Sequence, residues 1–375
     1  MSIKPPSIYH SFHEADAYPD DTITSDDEDL WFLPGPSEDE PDVRGPAGDP
    51  VQDRIQAPLH TNVWHPSKTP ASAGVAILTE WQNAEAALAA PLAHAAGCLG
   101  GLNDRLQRSP AGWRHRLALI EAVDLSWFVG THVTADRLAL WITLRLSGVQ
   151  HDIAALTRAQ WAARHLTSGA GPEQGLAAFL DRRDLSEPGA DTDSFADREA
   201  NWQSLMRAGQ AMHPISRACM GYHLWDLAGL DPHDDKTEAA VTAGRVAAGH
   251  TTSAVFAPLA MGGAKALRSH GSALQRLTRW LEGLQSATLT AMRHLDEVEA
   301  WSLRADQVMQ TLSGRTPPAL RMALMEWPLI SAPMAEALTG ASRASAGRNL
   351  AWMENHGLIR EITGHSRFRL WTIKR

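Results

Sequence analysis

Apolar side chains recur every three to four residues over most of the stretch 71–312, which is the period of an amphipathic helix. The clearest series is Trp113, Leu117, Ile120, Val123 and Trp127. The same spacing, interrupted by Gly, Pro and Asp clusters, predicts further helices at 79–106, 135–146, 153–166, 174–181, 195–211 and 216–228. No part of this stretch alternates as a strand would. The pattern predicts a mainly α chain with a helical-bundle body at 71–312.

A longer repeat closes this body, in a helix predicted near 266–312. Its seam positions are Leu274, Leu277, Leu281, Leu284, Thr288, Ala291, Leu295, Val298, Ser302, Ala305, Met309 and Leu312. Their alternating spacing of three and four is that of a heptad seam, and one helix over 274–312 would be about 58 Å long. A seam of this kind is typical of a homodimer interface. It also suits a core helix, or two helices broken near 283–286, and the sequence leaves these alternatives open.

The pattern changes again in the last sixty residues. A short helix at 319–326 is followed by a second helix that opens at Ser331 with Pro333 in its first turn, a turn at Gly340, and a third helix at 343–355. Serine caps a helix start by accepting an amide hydrogen bond, and an early proline loses no helical bond. A basic two-stranded hairpin follows, with its tip near Gly364. This order predicts a C-terminal winged helix-turn-helix domain at 316–375.

The third helix of this domain is the predicted DNA-reading element. An inward stripe of Ala341, Ala346, Leu350 and Met353 leaves Arg343, Ser345 and Arg348 for the opposite face, and Ser342 stands at the positive end of the helix. Arginine pairs with guanine edges, and serine reaches bases or phosphates. In the hairpin, alternation turns Phe368 and Leu370 inward and other side chains outward. The predicted DNA-binding residues are Ser342, Arg343, Ser345, Arg348, His365, Arg367, Arg369 and Lys374.

Charge is distributed unevenly along the 375 residues. The whole chain has a formal net charge of -9, with 43 acidic and 34 basic side chains, but residues 1–70 alone hold 14 acidic and 4 basic ones. With 11 of the 22 prolines as well, this segment is predicted to be a largely disordered acidic tail. Residues 316–375 hold eight basic and four acidic side chains, a local charge of +4. The overall acidity therefore does not exclude a nucleic-acid partner.

An aromatic cluster, Leu30-Trp31-Phe32-Leu33, follows the acidic run 26–29 within the tail. A cluster of this kind is costly to leave in water, so we expect it to dock on another surface. Three alternatives are open: it packs on the helical body, it binds a protein partner, or the acidic arm competes with DNA for the basic module.

Several other classes of protein are disfavoured. Cys98 and Cys219 are too few for a disulfide framework or a zinc module, and no signal peptide or apolar run of membrane-spanning length is present, so a cytoplasmic, nucleoid-associated protein is expected. The histidines show no metal-binding spacing, and the glycine-rich stretches 97–101 and 261–265 lack the context of a nucleotide-binding loop. We expect no cofactor, no metal and no catalytic activity.

A family resemblance agrees with this interpretation. It rests on Arg315-Thr316-Pro317-Pro318-Ala319-Leu320, on Pro328-Leu329-Ile330-Ser331 and above all on 357–371, GLIREITGHSRFRLW. Over about 81–371 the chain resembles an uncharacterised rhizobial, often plasmid-encoded family, which implies an α-helical N-terminal domain of unknown function and a C-terminal helix-turn-helix DNA-binding domain. The C-terminal part is also similar to the winged helix of Fic-domain proteins. The Fic catalytic motif is missing, because His213-Pro214-Ile215 is followed by Ser216-Arg217-Ala218.

The sequence thus predicts a homodimeric DNA-binding transcriptional regulator whose partner is double-stranded DNA. Two alternatives remain. The chain could be a protein-interaction adaptor that uses the winged helix and the acidic tail, or an enzyme in the helical body with an appended regulatory winged helix.

Overall fold

The long α-helix predicted near the end of the helical body organises the fold seen in a computed structural model of the chain. The structure describes residues 71–144, 153–182, 194–230, 236–268, 270–364 and 369–374. The predicted tail at 1–70, with its aromatic cluster, lies outside the described residues. From residue 71 onward, the described residues belong to one compact unit.

The described helices and strands confirm a mainly helical chain. The helices are α1 (Ala71–Ala87), α2 (Ala89–Gln107), α3 (Gly112–Phe128), α4 (Ala135–Leu144), α5 (Ile153–Thr167), α6 (Leu176–Phe179), α7 (Phe195–Ala208), α8 (Pro214–His223), α9 (Thr237–Ala247), α10 (Ala273–Met309), α11 (Thr316–Glu326), α12 (Ala332–Thr339) and α13 (Arg343–Asn355). The strands are β1 (Ile330–Ser331), β2 (Ile359–Glu361) and β3 (Leu370–Ile373), and single 3₁₀ turns occur at Pro172–Gln174 and Ala266–Arg268. Among these residues, no helix is both long enough and apolar enough to span a membrane.

Helix α10 is continuous over 37 residues and forms the centre of the body. Its heptad seam is buried from Leu277 to Met309 and packs against α1, α2, α8 and α11 of the same chain. The core-helix interpretation of the seam is therefore the correct one, because the apolar face that a second copy would need is already covered. A homodimer remains a prediction, and it would have to use another surface.

The alternative of two helices broken near 283–286 is excluded because α10 is continuous there, although a glycine does stand at 283. Gly283 lies inside α10 where the 3₁₀ turn passes closest, and a Cβ on it would lie 2.2 Å from the backbone nitrogen of Ala266. The glycine therefore permits the turn to approach the helix, and the helix continues through it.

Helix α9 was not predicted, and the single helix predicted at 79–106 is two helices, α1 and α2. Most residues of α9 are buried, and the helix packs against α5 and α8. Its polar residues Glu238, Thr242 and Arg245 recur at helical spacing, so the sequence did carry a helical signal here.

The last sixty residues add a small antiparallel sheet in the order β1-β3-β2. The predicted strands β2 and β3 are present, with Ile359 opposite Ile373 and Glu361 opposite Trp371. The third strand, β1, was not predicted; Ile330 pairs with Trp371 and Ser331 with Leu370. At two residues, β1 is too short to show an alternating pattern.

Candidate nucleic-acid interface

The turn between α12 and α13 is built by local hydrogen bonds that the sequence makes predictable. Ser331 caps α12, since its hydroxyl accepts a hydrogen bond from the Met334 amide at 3.2 Å. Gly340 ends that helix with a φ of 65°, a left-handed conformation that glycine adopts without steric cost. Ser342 caps α13 by accepting from the Ser345 amide at 3.3 Å. The Ser342 hydroxyl therefore acts first as a structural cap.

The burial of α13 defines its outward face. Ala346, Leu350 and Met353 are fully buried along one stripe. The exposed positions on the opposite side, at 100° per residue, are Ala344, Arg348, Ala351 and Asn355. Of the residues predicted for this face, Arg348 lies at its centre.

Ser345 does not lie at the centre of the outward face. It is half-buried, and its hydroxyl oxygen lies 3.5 Å from the Thr316 hydroxyl oxygen on α11. The prediction that Ser345 lies on the outward face is therefore wrong, because α11 covers the side of α13 that carries Ser345. Asn355 was not among the predicted residues, although the buried spacing 346, 350, 353 places 344, 348, 351 and 355 on the opposite side of the helix.

Arg343 stands at the other edge of the face. Its side chain is 69% exposed and forms an ion pair with Glu336 of α12, with 3.2 Å between Nε and Oε2. Because an exposed pair of this kind is weak, Arg343 can leave Glu336 for another anion at low cost.

One hairpin side chain, that of Arg369, is placed differently from the prediction. Arg369 forms an ion pair with Glu354 at 2.9 Å and lies over the Trp371 ring, 5.0 Å from its centroid. It therefore turns back onto α13, contrary to the outward position expected from alternation. His365 and Arg367 lie outside the described residues. Lys374 is exposed, and its backbone carbonyl accepts a hydrogen bond from Arg304 at 2.9 Å.

An ionised carboxylate holds the first turn of the hairpin. Burial alone would raise the pKa of Glu361, but hydrogen bonds from the Thr363 side chain and from the Gly364 and Thr363 amides outweigh it, and the pKa is lowered. The two amides donate to this carboxylate at 2.7 and 2.9 Å. The chain therefore enters the hairpin tip from a fixed position.

Contacts with the helical body fix the orientation of the whole C-terminal segment. The Trp301 indole of α10 donates to the Leu358 carbonyl at 2.7 Å, and Arg360 pairs with Asp136 of α4 at 2.9 Å. Apolar packing of Leu329, Leu370 and Ile362 against Ala139 of α4 adds to these contacts. The outward face of α13 is thus held in one direction relative to α4 and α10.

Gly347, inside α13, provides a test of how this helix packs. A Cβ on Gly347 would meet nothing within 4 Å, whereas a Cβ on Gly112 would lie 2.5 Å from the Glu326 carbonyl oxygen. We expect Gly347→Ala to raise the free energy of unfolding by about 1 kcal/mol, because alanine is the better helix former. Gly112→Ala is expected to lower it. Urea denaturation of both variants measures this, and a loss of stability in Gly347→Ala would mean that another group covers that flank.

The other candidate sites in the body are occupied by internal contacts. The amides of residues 259–262, at the start of the glycine-rich stretch 261–265, donate to the carboxylates of Glu121 and Asp124. Cys219 is fully buried, and burial raises the pKa of its thiol, which disfavours a reactive thiolate. Within the described residues, no three His, Cys, Asp or Glu side chains form a group that could hold a metal ion.

Two further charged residues of the helical body are also paired. Arg217 contacts Glu173 at 2.7 Å, and Asp226 pairs with Lys236. Comparison of the chain with known protein families and with curated proteins finds no match.

Proposed function

We propose that the segment 316–375 is a winged helix-turn-helix domain and that the protein is a DNA-binding transcriptional regulator. The element order α11, β1, α12, α13, β2, β3, with a capped turn between α12 and α13, supports this assignment. The sheet order β1-β3-β2 places the two hairpin strands together beside the helices, as a wing requires.

The observation that carries the proposal is the exposed face of α13. Arg348 and Asn355 project from it, and between them stand the small side chains of Ala344 and Ala351. An α-helix fits the major groove of B-DNA, where arginine pairs with guanine and asparagine with adenine. The two alanines permit close approach and can contact thymine methyl groups. We assign base contacts to Arg348 and Asn355.

The remaining predicted residues take positioning roles. Arg343 would exchange Glu336 for a backbone phosphate, and Lys374 with the hairpin residues His365 and Arg367 would contact the backbone beside the groove. Arg369 would act indirectly, by tying the hairpin to Glu354. The helical body would hold this surface in a fixed orientation.

The experiment begins with duplexes selected from a random pool by the full-length wild-type protein. Arg348→Ala is expected to weaken binding to the selected duplex by about 10- to 100-fold and to relax the preference at one base pair, as for a lost base contact. Arg207→Ala, which removes an exposed arginine from α7, is the matched control and should leave affinity unchanged. Equal binding by wild type and an Arg343→Ala/Arg348→Ala double variant would overturn the groove assignment.

A second function, a protein-interaction adaptor, is favoured by one specific observation. Arg343, Arg360 and Arg369 all pair with carboxylates of the same chain, so much of the positive charge of the segment is balanced internally. An adaptor predicts no salt-dependent affinity for DNA, and no duplex would be enriched in the selection experiment.

A further inference from the structure

Arg315, which the predicted DNA-binding set does not include, lies next to the first turn of α13. It directly precedes α11, and its neighbour Thr316 reaches across to Ser345, with 3.5 Å between the hydroxyl oxygens. Arg348 lies one helical turn beyond Ser345, on the adjoining face of α13. The start of α11 therefore borders the exposed face that carries Arg348.

Two basic side chains where the start of α11 meets α13 carry charge that no ion pair among the described residues balances. Arg315 and Arg348 are both exposed, and neither forms an ion pair with a described residue. By contrast, Arg321, six residues further along the chain in α11, forms an ion pair with Asp306 at 3.3 Å. Arg315 and Arg348 thus form a pair of available cations on one side of α13.

The backbone at the start of α11 offers an anion few amide donors. The second and third residues of the helix are Pro317 and Pro318, which have no amide hydrogen. The Ala319 amide donates to the Arg315 carbonyl instead of facing outward. The Arg315 guanidinium is therefore the main cationic group at the start of α11.

We propose that Arg315 contacts a phosphate of the DNA strand that borders the groove entered by α13. The partner is the sugar-phosphate backbone of duplex DNA, and the contact carries no sequence information. Arg315 would thereby set the register of the protein on the duplex, and Arg348 would contact a base. This inference rests on the proposed function.

The test measures the binding of full-length wild type, Arg315→Ala, Arg315→Lys, Arg348→Ala and Arg207→Ala to the selected duplex and to an unrelated one. Salt is varied from about 50 to 300 mM. A single lost phosphate contact reduces the slope of log K against log salt by about 0.9. For Arg315→Ala we expect that reduction, with a fall of roughly five- to tenfold in affinity near 0.1 M salt on both duplexes.

The other variants separate a direct contact from a structural effect. Arg315→Lys keeps the charge and should keep the wild-type slope, and Arg207→Ala should match wild type. If Arg315→Ala binds both duplexes with wild-type affinity and slope while Arg348→Ala is weakened, the Arg315 contact is wrong and the proposed function stands. If the wild-type protein shows no salt-dependent affinity for either duplex, the proposed function fails and this inference fails with it.

Discussion

Replacing Arg116 by alanine is expected to lower the free energy of unfolding by about 3 to 5 kcal/mol, because the carbonyls of Leu324 and Trp327 lose their arginine donor at once. The Met325 carbonyl keeps the Trp113 indole as a donor. Arg116 lies in α3 and is only 5% exposed. Its guanidinium donates to the carbonyls of Leu324 and Trp327 and, at 3.1 Å, to that of Met325. These are carbonyls at the C-terminal end of α11, where a helix has no donors of its own and favours a cation.

Urea denaturation measures this loss, and Arg108→Ala is the control. Arg108 is exposed and pairs with Asp104 on the surface, so its removal should change the free energy of unfolding by less than about 1 kcal/mol. Hydrogen exchange should show the amides of α11 and α13 opening earlier than those of α10 in Arg116→Ala. Equal losses in the two variants would mean that Arg116 does not hold α11.

The second large effect is expected at Glu121, whose carboxylate holds the loop before α10. The amides of Leu259, Ala260 and Met261 donate to it at 2.7, 2.8 and 3.1 Å. Burial raises the pKa of Glu121 from 4.5 to about 7, against the opposing influence of these hydrogen bonds. The stabilising contribution of the protonated group is therefore complete below about pH 4.5 and is lost as the pH rises through about 7.

Glu121→Gln removes this titration and turns an amide donor towards the loop amides. Because 1 pKa unit corresponds to about 1.4 kcal/mol, the stability advantage of wild type over Glu121→Gln should be larger at pH 5 than at pH 8 by on the order of 3 kcal/mol. Denaturation at both pH values measures this difference. Gln107→Ala, at an exposed position of α2 that carries no titrating group, should keep the wild-type pH profile. An advantage that grows from pH 5 to pH 8 would contradict the direction of the shift.

Local signals predicted the elements of the candidate interface well. Ser342 and Gly340 bracket the turn through bonds and backbone angles that involve only their immediate neighbours, so the limits of α13 follow from the sequence. The inner stripe of α13 follows too, because Ala346, Leu350 and Met353 share one side of any helix with this sequence. Arg348 was assigned to the outer face for the same reason.

Which other sides of α13 are covered, and which arginines are paired, could not be predicted from neighbouring residues. Ser345 and Asn355 are both polar, yet α11 covers the flank with Ser345 and leaves Asn355 exposed. Likewise, Arg360 meets Asp136, 224 residues away in the sequence. From the sequence alone, Arg360 is one of the basic residues available to DNA. Only the packing of α4 beside the sheet shows that it is paired.

By itself, the sequence determined the helical class of the chain, the capped turn, the limits of α13 and the concentration of basic residues after 315, because all of these depend on spacing and on neighbouring residues. Only the tertiary structure decided what covers each face. The seam of α10 shows the physical reason: a heptad pattern presents the same apolar groove to a second copy or to the same chain. Here α1, α2, α8 and α11 fill that groove, so the seam forms the core of the body.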